Sequence, residues 1–414
     1  MITRRDFIRD SVTATGAAAL WPSDLLGSGQ RAAAAKSRVV SVAAPGILSG
    51  ESYDPAVVHR AFEAGLKELT GERALDNAWA SMFSRRDVVA VKVNCVGAPR
   101  MSTSVASINE VIAGLKRAGV AENNIIVWDH ADAAFRRTGF AVNRSATGVR
   151  IHGTAPEAAT RVPWIQGFDK KVFLDLEDGT LKKYRELMNR DFTKAGSHRE
   201  IFNSMTWLWM LIAQGNPKAQ AYSAEIQRLY TAYSDRDGIK RIAEEVANQF
   251  NDLAIEDESR SYFSSIVTSE ANKIVNLAVL KHNEDSGVTL ATKNIALGVT
   301  TNKVRFHIDF CARSIAGIMS TPCIKDKLVL NVGEAAKIST KGAAGATIAF
   351  DNRMFFSRDP VAMDRIGLEV LEQKRKEQGL PPISSEATHI AACARRGVGT
   401  DDPKRIDLRE LRIA

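Results

Sequence analysis

The sequence predicts an α/β fold: a mostly parallel sheet flanked by helices, with an α-helical insertion. Three observations lead there. Short apolar runs of strand length, Val88 to Val93, Ile125 to Trp128, Ile274 to Leu280 and Leu328 to Val332, alternate with segments whose apolar residues recur at helical spacing. Two long helices open on the same Asp-Pro signature, at Asp54-Pro55 and Asp359-Pro360. Between the two sets of strands, from about Leu181 to Asn272, strand signals thin out and charged amphipathic stretches such as Asp237 to Phe250 take over.

Element by element, Val39 to Ala43 is a short β-like run. Asp54 then offers a side-chain cap and Pro55 a fixed φ for a helix reaching about Leu69. Val88 to Val93 reads as a buried strand ending in Asn94-Cys95-Val96-Gly97. In Ser104 to Ala118, Val105, Ile108, Val111, Ile112 and Leu115 mark one helical face, with Gly119 as a C-cap. Ile125 to Trp128 leads straight into Asp129-His130. Strand, helix, strand in this order makes a right-handed βαβ unit with parallel strands the default. In the insertion, Met205 to Ile212 carries a Met/Trp stripe that reads as core, with a lid or a partner surface as the alternative. Beyond it, Arg305, His307, Asp309 and Cys311 alternate with Phe306, Ile308 and Phe310, sharing one face if the segment is extended. A last long helix runs from Pro360 to about Gln378.

Composition is that of a globular chain, with 45% hydrophobic and 25% charged residues in 414. The net charge of +8 (56 Lys+Arg against 48 Asp+Glu) is mild, and no basic block is interleaved with aromatics. That pattern argues against a nucleic-acid partner and fits attraction of small anions. Thr3-Arg4-Arg5-Asp6-Phe7-Ile8-Arg9 resembles the twin-arginine export signature. It is followed by a mildly apolar Ala/Thr-rich stretch and a small-residue cleavage site at Ala33-Ala34-Ala35. The expected organisation is a signal peptide over 1–35, α/β regions over 36–180 and 273–414, and the helical insertion over 181–272. The expected partner in export is the twin-arginine translocase, and the expected location is the periplasm. No later run reaches the ~18 apolar residues of a membrane span. Cys95, Cys311, Cys323 and Cys393 show no C-x-x-C spacing, so a closed zinc or iron–sulfur site is poorly supported. Cys311 and Cys323 are the closest pair for a disulfide, and four unpaired thiols are the alternative.

The chemistry concentrates where strands end. Lys281-His282-Asn283-Glu284-Asp285 follows the apolar run to Leu280, and Thr289, Lys293 and Asn294 follow within the next dozen residues. Polar groups also close three other predicted strands: Lys92/Asn94, Asp129/His130 and Asn331/Gly333/Glu334. Parallel strands bring such ends to one edge, the edge where open α/β sheets bind ligands. The expected catalytic set is Lys281, His282 and Asp129, with Lys92, Asn94, His130, Thr289, Lys293 and Asn294 contacting the ligand. Lysines clamp an anion, and a histidine moves a proton. Asp129, His130, His282, His307 and Asp309 are suitable metal ligands, but their spacing fits no compact motif. His59, His152, His198 and His389 have no supporting neighbours in sequence. Neither G-x-G-x-x-G nor G-x-x-x-x-G-K-[ST] sits where a strand feeds a helix, and no G-x-S-x-G elbow occurs.

The order of Val91-Lys92-Val93-Asn94, Val127-Trp128-Asp129, Asn276 to His282, Gly287 to Asn294 and Ser357 to Asp364 resembles the domain of unknown function 362 family. The resemblance covers roughly 86–155 and 270–400 and leaves out the stretch 181–272. The ferredoxin-like cysteine clusters of some relatives are absent. More distantly, the strand–helix–strand opening is similar to the N-terminal domain of nickel-pincer lactate racemases. Those enzymes set histidines and lysine around a nickel-bearing cofactor, and by analogy a metal or metal-containing cofactor is an open expectation. Two functions are expected: a periplasmic enzyme acting on a small anionic molecule, by isomerase or oxidoreductase chemistry, or a non-catalytic ligand- or metal-binding protein using the same cleft.

Overall fold

The computed structural model describes residues 36–155, 167–175, 260–283, 285–301, 306, 311–342, 345 and 347–414. In chain order the elements open with β1 (Ser37–Ala43), a small hairpin of β2 (Leu48–Ser49) and β3 (Ser52–Tyr53), α1 (Pro55–Thr70) and α2 (Leu75–Ala80). Then come β4 (Val89–Lys92), α3 (Val105–Arg117), β5 (Ile125–Ala131), β6 (Arg150–Ala155), and an antiparallel pair, β7 (Phe168–Asp175) and β8 (Arg260–Ser264). The second half holds β9 (Lys273–Asn283), β10 (Gly287–Thr289), α4 (Ala291–Val299), α5 (Ala312–Met319), α6 (Pro322–Lys325), β11 (Leu328–Lys341) and β12 (Thr347–Phe350). It closes with β13 (Arg353–Ser357), α7 (Pro360–Glu377), α8 (Thr388–Arg395) and β14 (Ile406–Arg412).

Ten strands make one mixed, mostly parallel sheet in the order β14-β1-β13-β11-β9-β4-β5-β6, with β10 added to β9 and β12 to β11. β11, β9, β4, β5 and β6 are parallel neighbours. β13 runs against both β1 and β11, so β1 and its parallel neighbour β14 point the same way as the central strands. This is the predicted α/β fold.

Both sheet faces are covered, which is why the central strands read as unbroken apolar runs. Along β9, Ile274, Ala278 and Leu280 enter one core with α4, α5, α7 and α8, while Val275 and Leu277 enter the other with α1, α2 and α3. The helix starts are local and match expectation. Asp54 Oδ1 accepts from the Ala56 and Val57 amides, Ser104 Oγ from Ser107, and Asp359 Oδ1 from Val361 and Ala362.

Three expectations change. β9 continues through Lys281, His282 and Asn283, because β10 folds back to pair Thr289 with Lys281 and Val288 with His282. The lysine and histidine therefore lie inside a ladder and not in an exit loop. β11 likewise runs on to Lys341, held by β12. The insertion expected over 181–272 lies largely outside the described residues, but its end is not α-helical. Arg260–Ser264 is a strand, and Ile266–Glu270 a π-helical turn. Among the described residues no disulfide joins the four cysteines; Cys95, Cys311 and Cys393 are buried.

Candidate functional site

Lys92 is the last residue of β4 and lies in the interior, 1% exposed. Its side chain runs along α4 at Gly298 and ends on Asp129, with Nζ donating to Asp129 Oδ1 (2.9 Å) and to the Val93 carbonyl. Asp129, near the end of β5, also accepts from the Cys95 amide on Oδ2 (2.8 Å) and from the His130 amide on Oδ1 (2.7 Å). A buried ammonium and carboxylate stripped of water survive only with such additional partners. The Cys95 thiol beside them is pushed far up by burial, and further by Asp129, so it is no ready nucleophile.

Lys281 emerges five residues beyond the point where β9 pairs with the end of β4 at Asn276↔Lys92, and it passes over that end. The chain from Asn94 to Met101 folds around it. Its Nζ donates to Asn94 Oδ1 (2.8 Å), Val96 O (2.7 Å) and Met101 O (3.1 Å), three acceptors for the three N–H bonds of an ammonium. Burial drives its pKa down, Asp129 pulls it back up and Lys92 presses it down again; it falls from 10.5 to about 7. Asn94 Nδ2 donates in turn to Asn294 Oδ1 (3.0 Å) on α4. Lys92, Asn94, Asp129, Lys281 and Asn294 thus form one buried polar cluster, its two halves meeting at Asn94-Cys95.

His282 goes elsewhere. Successive residues of a strand face opposite ways, and His282 Nδ1 accepts from the Gly342 amide (3.0 Å). Burial first, then Arg375 and Lys293, lowers its pKa to about 4, so the ring is neutral near pH 7 with its proton on Nε2. Lys293 is nearly buried, its pKa lowered by desolvation, and it donates to Ser286 Oγ (2.7 Å) and Asn283 Oδ1. His282 and Lys293 therefore belong to a neighbouring group around the β9–β10 turn. Thr289 is buried in the β10 ladder opposite Lys281. His130 is half-buried, its ring 5.8 Å from that of Phe168.

Glu334 turns away from this cluster to the start of α3, where it accepts from the Ser104 amide and hydroxyl. His307 and Asp309 lie outside the described residues. Among the described residues no group of three or more His, Cys, Asp or Glu is placed to hold a metal, and no helix is long and apolar enough to cross a membrane.

Two features go beyond sequence reasoning. Asn331, expected at a polar strand end, lies within β11 and pairs with Asn276 of β9, and the two extend the Asn94–Asn294 contact into an amide chain. The second is Asp364 on α7, which caps α4 from outside. Its carboxylate accepts from the Ala291 amide (2.5 Å), the Thr292 amide (3.0 Å) and the Thr292 hydroxyl. The N-terminus of α4 is therefore filled by the protein's own anion. Burial raises Asp364 to about 6. His389, fully buried on α8, lies 3.8 Å from it, and neither ring nitrogen has a hydrogen-bond partner among the described residues. The sequence hint for Asp364 was its place in the Ser357-to-Asp364 segment; His389 offered none.

Fold and side chains together define an α/β protein with a buried lysine–asparagine–aspartate cluster at the carboxyl edge of its central parallel strands. Residues 215–369 match the family model described as Domain of unknown function (DUF362), so a DUF362 domain is present over that stretch. The match corrects the extent of the resemblance. It takes in 215–272, which was expected to fall outside, and it covers neither 86–155 nor the chain beyond 369. Lys281, Asn294, Asn276, Asn331 and Asp364 lie within it; Lys92, Asn94 and Asp129 do not. Searches of curated proteins and of solved structures return no significant match.

Proposed function

We propose that the chain is an exported enzyme that moves a proton on a small anionic molecule, with Lys281 as the group that gives and takes that proton. The observation supporting this reading is Lys281 itself: an amine brought to about 7 by burial, with one acceptor for each of its N–H bonds and a second lysine close by. An amine that titrates near neutrality serves as base or acid under ordinary conditions. Lys92 lies close by, and its ion pair with Asp129 avoids leaving two bare ammonium groups together. Val96, whose carbonyl accepts from Lys281, is 60% exposed, so the loop that holds the buried lysine reaches the surface. His282 faces away, so the weight of the chemistry moves from the expected Lys281–His282 pair to Lys281 with Asp129. Support for export rests on Thr3 to Arg9; Arg4→Lys with Arg5→Lys is expected to leave precursor in the cytoplasm.

The test is proton exchange. Lactate, malate, pyruvate and glycerol 3-phosphate are incubated with the protein in deuterium oxide and followed by proton NMR for loss of carbon-bound hydrogen. At least one is expected to exchange, with the rate following a group near pH 7, and Lys281→Met is expected to abolish it. Thermal stabilisation by these anions without exchange would instead favour the binding protein. No exchange and no stabilisation would remove both.

A further inference from the structure

The asparagines behind Lys281 form a chain with one direction. Asn331 Nδ2 donates to the Ser357 carbonyl (3.4 Å), and Asn276 Nδ2 to Asn331 Oδ1 (2.9 Å) and the Ala291 carbonyl (2.9 Å). Asn294 Nδ2 donates to Asn276 Oδ1 (2.8 Å) and the Leu277 carbonyl (3.3 Å). Backbone carbonyls only accept, so each fixes which end of its amide is nitrogen. With its nitrogen so engaged, Asn294 presents its oxygen to Asn94. Among the described residues no backbone carbonyl takes the Asn94 amide nitrogen; it donates to Asn294 Oδ1 (3.0 Å), which leaves Asn94 Oδ1 facing Lys281.

We propose that Asn294 is a positioning residue for Lys281, acting through Asn94: it fixes the Asn94 amide with its oxygen toward Nζ and thereby holds the third proton on the lysine. The inference rests on the reading of Lys281 as the proton-transfer group and names the device that sets its resting state. A neutral amine has two N–H bonds for three acceptors. Of those three, Val96 O and Met101 O belong to the backbone, whereas the Asn94 amide can turn and offer a donor to the amine's lone pair. Asn294 opposes that turn, because it would bring two amide oxygens face to face in a buried site. The other groups acting on Lys281, namely Asp129, Lys92, the Cys95 thiol and Lys293, all remain in an Asn294 variant, so the effect of the amide can be read separately.

The experiment follows the Lys281 side chain by NMR in full-length protein carrying 13Cε-labelled lysine, with the resonance assigned by its loss in Lys281→Met. Asn294→Leu removes the acceptor and frees Asn94. Its Lys281 midpoint is expected to fall by about one unit, a tenfold smaller ratio of charged to neutral amine at a given pH. Asn294→Asp keeps an oxygen toward Asn94, and its midpoint is expected at or above that of the unaltered protein. Asn294→Ala reads the same loss as Asn294→Leu should the latter not be recovered folded. A folded Asn294→Leu or Asn294→Ala protein with an unaltered midpoint overturns the proposal. The reading of Lys281 as a near-neutral base fails on a different result, a midpoint in the unaltered protein close to 10.5; the shift between variants still judges the role of Asn294.

Discussion

Gly298 lies directly against the shaft of Lys92: a Cβ on the glycine would fall 1.9 Å from Lys92 Cε and 2.7 Å from Nζ. The helix that supplies Asn294 to one half of the cluster thus leaves room for the ammonium of the other half. Gly298→Ala is expected to push Lys92 off Asp129 and to destabilise the protein by about 1 to 3 kcal/mol, the range for overfilling a packed interior. Urea denaturation checks it. Adding Lys92→Met to Gly298→Ala should not increase the loss by the full effect of Lys92→Met alone, because both changes break the same contact.

Asp364 anchors the start of α4 with three hydrogen bonds to Ala291 and Thr292. Asp364→Ala leaves those donors buried without an acceptor, and a loss of about 2 to 3 kcal/mol is expected in urea denaturation. Asp364→Asn retains one acceptor oxygen and should lose less. Equal stability of all three proteins would show that the cap contributes nothing.

Acid stability carries the sign of His389. Burial lowers its folded pKa from 6.5 to about 3, so below pH 6.5 the unfolded chain takes up a proton that the folded chain refuses. Stability is therefore lost as pH falls from 6.5 toward 3, by about 2 kcal/mol at pH 5 for this ring alone. His282, lowered to about 4, acts in the same direction. Asp364 opposes both: its folded value of about 6 lies above 3.8, so between those values acidification favours the folded state. Urea midpoints at pH 7 and pH 5 should converge in His389→Leu relative to the unaltered protein. An unchanged difference would remove His389 from the account.

Lys281 gives the alkaline limb. Its folded pKa of about 7 lies below 10.5, so between those values the unfolded state binds the extra proton and stability rises with pH. From pH 7 to pH 9 the expected gain from this one group is about 2 kcal/mol. Lys281→Met should lack that gain whatever its absolute stability. A variant that keeps the full rise would assign it to other groups.

What the sequence discloses depends on how local each cause is. The helix starts at Asp54, Ser104 and Asp359 are legible because cap and capped amide lie within three residues. The tails of β9 and β11 are not, because Lys281–Asn283 and Lys337–Lys341 are held in ladders by strands that return to them. In the site, Lys92, Asn94, Asp129 and Lys281 stand at or near strand ends, where polar residues interrupt apolar runs and draw notice. Asn331 is legible as a polar residue closing an apolar run, but Asn276 sits inside one, and their partnership appears only once register sets them side by side. The neighbours of His389 come from α7 and α4, so its surroundings in sequence say nothing about its burial.

β1 is held on one side by β13 and on the other by β14, and Ser37 Oγ donates to Asp359 Oδ2, 322 residues along the chain. During synthesis the first strand of the sheet is therefore made long before either of its neighbours. Until Arg353–Arg412 has been made it has no place to dock, and its unpaired edge is open to other chains. Closing so long a loop is slow relative to local pairing, so the seam between first and last strands is the final part of the sheet to form. A shortened chain ending before β13 would retain the lysine cluster's own strands, β4, β5 and β9, yet carry a first strand with nowhere to go.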